Sequence, residues 1–155
     1  MKDDHHWMRR ALDLARQAAD AGEVPVGAVL VRGGELIGSG YNQVERTGDP
    51  LAHAEILAIR EALSGSERWA LRDSTLYVTL EPCTMCVGAA ILARIPRLVF
   101  GAHEPKTGAC ESLFSIPNEP ALGHRMAVLG GIEQDRCREL LKDFFKGKRS
   151  SEDES

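Results

Sequence analysis

The sequence predicts one α/β domain, a three-layer α/β/α sandwich built on a five-stranded mixed sheet. Three observations carry this. The apolar pattern changes period along the chain in the order α-β-β-α-β-α-β-β-α, which calls for helices on both faces of one sheet. Gly33-Gly34 lies between two apolar runs and marks a tight hairpin, hence one antiparallel pair. A strand–helix–strand unit over residues 75–100 requires a right-handed parallel crossover. With 155 residues, 43% of them hydrophobic and 27% charged, the chain has material for one core of ordinary composition.

The elements follow in order. Trp7 to Ala21 reads as a helix, because Trp7/Met8, Ala11/Leu12, Ala15 and Ala18/Ala19 recur at helical spacing and Gly22 can stop it. His5-His6, before it, is expected to be disordered. Val24 to Val31 is a β-branched apolar run and Leu36 to Tyr41 its glycine-interrupted return, with a polar loop from Asn42 to Gly48. Asp49-Pro50 resembles an N-cap followed by a first helical residue, so a second helix is expected to start there. That places His53 and Glu55 in its first turns, with Ile56, Ile59 and Leu63 on its buried side. Ser64 to Asp73 connects to a strand over Thr75 to Leu80. A third helix begins at Pro82 and carries Cys83 and Cys86 near its N-terminus. Arg97 to Phe100 is a strand covered on both faces. Ala102 to Gly123 is a long irregular stretch of a length that is often functional. Met126 to Leu129 is a short strand. Gln134 to Phe145 is a helix with Cys137, Leu140/Leu141 and Phe144/Phe145 in phase. Residues 1–147 are expected to form the single domain and residues 148–155 a flexible polar tail. Trp69, Cys137 and Phe144/Phe145 are expected in the core.

Composition narrows the function. No stretch reaches the roughly 18 apolar residues of a membrane span. No apolar run follows Met1 to His6, so a signal peptide is not expected and a cytoplasmic location is. The net charge of −4 speaks against a generally basic nucleic-acid-binding surface. A local basic face remains at Lys142, Lys146, Lys148 and Arg149, ahead of the acidic run Glu152-Asp153-Glu154.

The chemistry is concentrated at Glu81-Pro82-Cys83-Thr84-Met85-Cys86 and at His53-Ala54-Glu55. Cys83 and Cys86 can reach one metal ion, and no second C-x-x-C completes a zinc ribbon. His53 makes a third ligand. Three protein ligands leave one position for water, the arrangement of a catalytic zinc. One zinc per chain is therefore expected, with Glu55 beside it to move protons. Two other readings stand beside this one. A redox C-x-x-C needs neither the His-x-Glu nor Pro82. A zinc-stapled binding module would leave Glu55 merely solvated, and it lacks a fourth ligand here. Lys106, in the long loop, is a candidate phosphate contact. Asn42 alone would be read as a turn residue. His103 and His124 carry no signal of catalysis.

H-x-E…P-C-x-x-C is the known signature of zinc nucleobase deaminases, and with it the chain resembles the zinc-dependent cytidine deaminase-like superfamily. It is most similar there to the bacterial tRNA-specific adenosine deaminases. The likeness runs from Glu23-Val24-Pro25-Val26-Gly27-Ala28-Val29 through Phe144-Phe145. It includes Asp49-Pro50 before His53-Ala54-Glu55-Ile56, then Thr79 to Cys86, and Lys106-Thr107-Gly108. The resemblance implies hydrolytic deamination of adenosine to inosine at the wobble position of a tRNA anticodon, by a homodimer. It implies His53, Cys83 and Cys86 as zinc ligands, Glu55 as the proton shuttle and Asn42 as a hydrogen-bond partner of the flipped base. The chain departs from the pattern at Glu104, usually Asp, and at Cys110-Glu111, usually small residues. A free-base or nucleoside deaminase acting on guanine or cytosine is the alternative within the same fold.

Overall fold

The structure, a computed structural model, describes residues 2–64 and 69–153, with side chains as far as Arg149. Five strands form one sheet in the order β2-β1-β3-β4-β5. These are β1 (Gly27–Arg32), β2 (Glu35–Tyr41), β3 (Ser74–Leu80), β4 (Arg97–Ala102) and β5 (Ala127–Leu129). β1 runs antiparallel to β2 and to β3, while β3–β4 and β4–β5 are parallel. The expected mixed sheet is therefore present. Gly33 and Gly34 turn the hairpin with φ of 58° and 79°, the left-handed region in which glycine carries no Cβ penalty.

Side chains alternate across the sheet with the strand period of two. Ala28, Leu30, Leu76, Val78, Leu98 and Phe100 face α3 (Ala54–Ser64) and α4 (Thr84–Leu92) in one core. Val29, Val31, Tyr77 and Val99 face the other way. They pack there with Trp7, Met8, Ala11 and Leu12 of α1 (Asp4–Asp20) and with Cys137 of α5 (Gln134–Asp153). Helix and strand approach closely at Gly27, Gly38 and Gly40. A Cβ at Gly27 would overlap Ala11 O, and one at Gly40 would lie 2.7 Å from Ala54 O. No helix among the described residues is long and apolar enough to cross a membrane.

Several local expectations are corrected. α1 begins at Asp4, and His5-His6 belong to it, because Asp3 caps the helix by accepting the His6 N–H at 2.9 Å. The loop after β2 contains a short helix, α2 (Val44–Thr47). Asp49-Pro50 does not open the next helix. Asp49 Oδ1 accepts the Leu51 N–H at 2.8 Å, closing a separate turn, and α3 starts at Ala54. On α3 the buried face is Ala54, Glu55, Ala58, Ile59 and Ala62, with Ile56 and Leu63 only half-buried. α5 runs on to Asp153 instead of ending at Phe145. Cys137 is buried as expected, but Trp69 is 62% exposed and Phe145 44%. Residues 65–68 of the expected connector lie outside the described residues.

α1 is pinned to the sheet by one polar cluster. Arg97 donates from both terminal nitrogens to the two Asp4 oxygens, at 2.8 and 2.7 Å, and Tyr77 Oη donates to Asp4 Oδ1 at 2.7 Å. The Arg97 hydrogen bonds hold the Asp4 carboxyl down, from 3.8 to about 2. Its contribution to stability is thus whole above the ordinary value and disappears as pH falls through about 2. The Arg97 side chain remains 36% exposed, so solvent screening leaves an expected loss of about 1 kcal/mol for Asp4→Asn at neutral pH. Urea unfolding of both proteins along an acid titration checks this, and the two curves are expected to converge at the acid end.

Candidate metal centre and active site

Strand direction brings the chemistry together. β2 and β3 run the same way, each antiparallel to β1, so their C-terminal ends share one edge of the sheet. α3 starts beyond β2 and α4 starts beyond β3, so both helix N-termini arrive at that edge. His53 immediately precedes α3 and Glu55 lies in its first turn, while Cys83 is the N-cap of α4 and Cys86 lies within it. Helix N-termini carry partial positive charge and favour thiolates.

His53 Nδ1 lies 3.7 Å from Cys83 Sγ and 3.5 Å from Cys86 Sγ, and the three donor atoms all fall within 4.8 Å of one another. Zn–S bonds of about 2.3 Å and Zn–N bonds of about 2.0–2.1 Å in tetrahedral geometry give an S···N edge of about 3.5 Å. The three side chains therefore already have the spacing of three corners of a zinc tetrahedron. The electrostatics agree. A hydrogen bond from the Cys86 thiol holds Cys83 down at about 4, with His53 assisting, while Cys83 and burial push Cys86 up. Two sulfurs compete for one negative charge, and a divalent cation would let both ionise. His53 is pushed up by its hydrogen bond with Cys83. Among the described residues this is the one group of His, Cys, Asp and Glu donors spaced to hold a metal.

Glu55 stands directly against this cluster. It is 4% exposed, burial pushes its carboxyl above the ordinary value, and it interacts with the Cys86 thiol. Asn42, just past β2, donates from Nδ2 to Val24 O at 3.3 Å, and its Oδ1 is buried without a hydrogen-bond partner. A buried acceptor left in this way carries a desolvation cost that a donor on a ligand would remove.

Residues 1–102 match the family described as the cytidine and deoxycytidylate deaminase zinc-binding region. The chain belongs to that family. Within this deaminase family, it is 42% identical over 146 residues to a protein named tRNA-specific adenosine deaminase from Bacillus subtilis (strain 168). That match covers 94% of this chain and 91% of the relative. Among solved structures, one from structural studies of A-to-I editing by tRNA:A34 deaminases at the wobble position of transfer RNA superposes with a TM-score of 0.84. It is 43% identical, over 87% of this chain and 98% of that one. A guanine deaminase from Nitrosomonas europaea is more distant, at 26% identity and a TM-score of 0.78, over 93% of this chain and 85% of that one. Zinc is accordingly the cofactor of this deaminase, and His53, Cys83 and Cys86 are positioned to bind a metal ion.

The other expected site residues are placed as follows. Lys106 is exposed in the loop after β4, its N–H bonded to Glu104 Oε1 at 3.0 Å. His103 sits between Glu111 Oε2 at 3.0 Å and Gln134 Oε1 at 3.1 Å, and His124 Nε2 bonds Ile95 O at 2.8 Å. Two carboxylates received no role from the sequence and have large ones in the structure. Glu23, 1% exposed, accepts the Glu45 and Arg46 N–H groups at 2.9 and 2.6 Å and so caps α2 beside Asn42. Glu81, 2% exposed, gathers the loop after β4. Their partners lie more than twenty residues away, beyond any local pattern. The available signal was an acidic residue abutting an apolar strand at each position.

Proposed function

We propose that this chain catalyses the hydrolysis of adenosine to inosine at the wobble position of a tRNA anticodon, releasing ammonia. The observation that carries the chemistry is the buried Glu55 carboxylate set against the His53–Cys83–Cys86 triangle. When bound, the zinc supplies the Lewis acidity that makes water nucleophilic near neutral pH. Glu55 accepts the proton that water gives up as its oxygen bonds to C6 of the base. Glu55 gives that proton to the ring nitrogen, then takes a second one from the new C6 hydroxyl and gives it to the departing amine, so the C–O bond forms and the C–N bond breaks with no net proton change at the enzyme. Its burial raises the carboxyl toward the range in which it both takes and gives protons. The unpartnered Asn42 Oδ1 offers an acceptor to the flipped base, and Lys106 a cation to a phosphate. The cytoplasm, where tRNA is found, is the site of action. A homodimer belongs to this reading, supported by Leu92 at the end of the apolar α4, which is 72% exposed. Light scattering at micromolar concentration is expected to give twice the chain mass, and a 16.9 kDa species would count against it.

Substrate identity is supported by the named relatives and by the chemistry of access. A deaminase must bring its base out of the stack, and a hairpin loop offers bases already splayed. The test offers an anticodon stem-loop with adenosine at the wobble position beside free adenosine, guanine and cytosine. Inosine in the stem-loop is the expected product. Conversion of guanine or cytosine with none in the stem-loop would establish the free-base alternative. Lys106→Ala is expected to weaken stem-loop binding and to lower the slope of log affinity against log salt by about one, with zinc retained. An unchanged slope would remove Lys106 from the phosphate contacts.

A further inference from the structure

Glu81 is a buried carboxylate that the deamination chemistry does not use. It closes β3 and stands two residues before the zinc ligand Cys83. Its two oxygens receive five donors. Oε1 accepts the Glu104 N–H at 3.0 Å and the Ser112 hydroxyl, and Oε2 accepts the N–H groups of Cys110, Glu111 and Ser112 at 3.1, 2.8 and 2.9 Å. The main chain follows the same path. Glu81 N–H donates to Ala102 O at 2.8 Å, Ala109 N–H donates to Pro82 O at 2.8 Å, and Gly108 N–H closes the loop onto Glu104 O at 2.8 Å. The loop of residues 104–112 is thus wound around the carboxylate that leads into the metal-binding helix. Gly108 completes the fit, since a Cβ there would collide with the Glu81 carboxyl group and lie 2.5 Å from Glu104 O.

We infer that Glu81 is a positioning residue that fixes the 104–112 loop, and Lys106 with it, at a set distance from the metal centre, so that the RNA flanking the target base is held in register with it. The inference deepens the tRNA reading above and rests on it. Five donors on two oxygens require a carboxylate. Glutamine keeps one accepting oxygen and turns an NH2 group toward at least two of the former donors. Glu81→Gln should therefore loosen the loop while leaving β3 and α4 in place. The work of the loop is binding, so the effect belongs in KM more than in kcat.

The experiment compares wild type, Glu81→Gln, Gly108→Ala and Ser112→Ala by zinc content, amide hydrogen exchange and steady-state kinetics on the stem-loop. For Glu81→Gln the zinc content is expected to stay at one per chain. Exchange should rise within residues 104–112 and stay unchanged within residues 83–92. KM for the stem-loop should rise about tenfold or more, with kcat falling no more than about threefold. Gly108→Ala, which disturbs the same cradle from the other side, should act in the same direction. The double variant should fall short of the product of the singles. Ser112→Ala removes only the hydroxyl donor from an exposed residue, and it carries the test should the others fail to fold, with a smaller rise in both exchange and KM. Loss of zinc, faster exchange in residues 83–92, or a fall in kcat with KM unchanged would overturn the inference. So would unaltered loop exchange. Failure of the wild type to convert the stem-loop would instead strike the tRNA reading, and hydrogen exchange would still decide whether Glu81 holds the loop.

Discussion

Glu55→Ala is expected to lower turnover by about 10²–10⁴-fold, the usual contribution of a general acid–base group, while the protein keeps its fold and its zinc. Glu55 is buried against the metal cluster without being one of its three closely spaced donors. In the mechanism proposed above, removing it deletes the proton relay and leaves the three spaced donors intact. Elemental analysis and circular dichroism test the retention of metal and fold, and inosine formation in the stem-loop tests the loss. Activity within about tenfold of wild type would show that protons move by another route. Glu55→Gln, nearly equal in shape, should be as inactive as the alanine variant if proton transfer, and not packing, is the role.

Cys83→Ala should lose the metal as well as the activity. The wild type is expected to hold one zinc per chain, because the described residues contain one group of spaced donors, His53, Cys83 and Cys86. Removing one thiolate leaves a histidine and a single cysteine, too few protein ligands for a stable zinc site. The two variants thus separate two kinds of failure, one with metal and one without. Two zincs per chain, or full activity with none, would rule out the open three-ligand site. Removing zinc from the wild type with a chelator should abolish turnover, and adding zinc back should restore it.

The parts of this molecule that announce themselves in sequence are those encoded by short-range periodicity and spacing. Arg97 to Phe100 reads as a strand covered on both faces, and Leu98 and Phe100 indeed enter one core while Val99 enters the other. The C-x-x-C spacing places Cys83 and Cys86 on one helix start, and the His-x-Glu spacing places His53 and Glu55 at another. What was not legible depends on side chains that capture distant or competing partners. Asp49 spends its carboxylate on the Leu51 N–H, so the helix begins at Ala54 and not at Pro50. Asp4 reaches Arg97 across the fold and thereby orders residues that look like a frayed terminus. Glu23 and Glu81 organise two loops beside the site through backbone N–H groups, which have no residue-type signature. Trp69 shows the opposite limit, since a large aromatic side chain is no guarantee of burial.

The absence of a side chain at Gly40 sets how close α3 can come to the hairpin. With Ala54 O only 2.7 Å from where a methyl carbon would sit, any larger residue at Gly40 must push the start of α3 outward. Ala54 lies between His53 and Glu55, so that displacement would pull the His53 ring and the Glu55 carboxyl away from Cys83 and Cys86 together. Loss of activity is therefore the expected outcome of Gly40→Ala, checked by inosine formation in the stem-loop. Steric freedom is thus wide on the solvent faces of α1 and α5 and nearly absent at this position of the hairpin. The strand acts as a gauge block for the start of α3, setting its position by having no side chain at Gly40 to put between them.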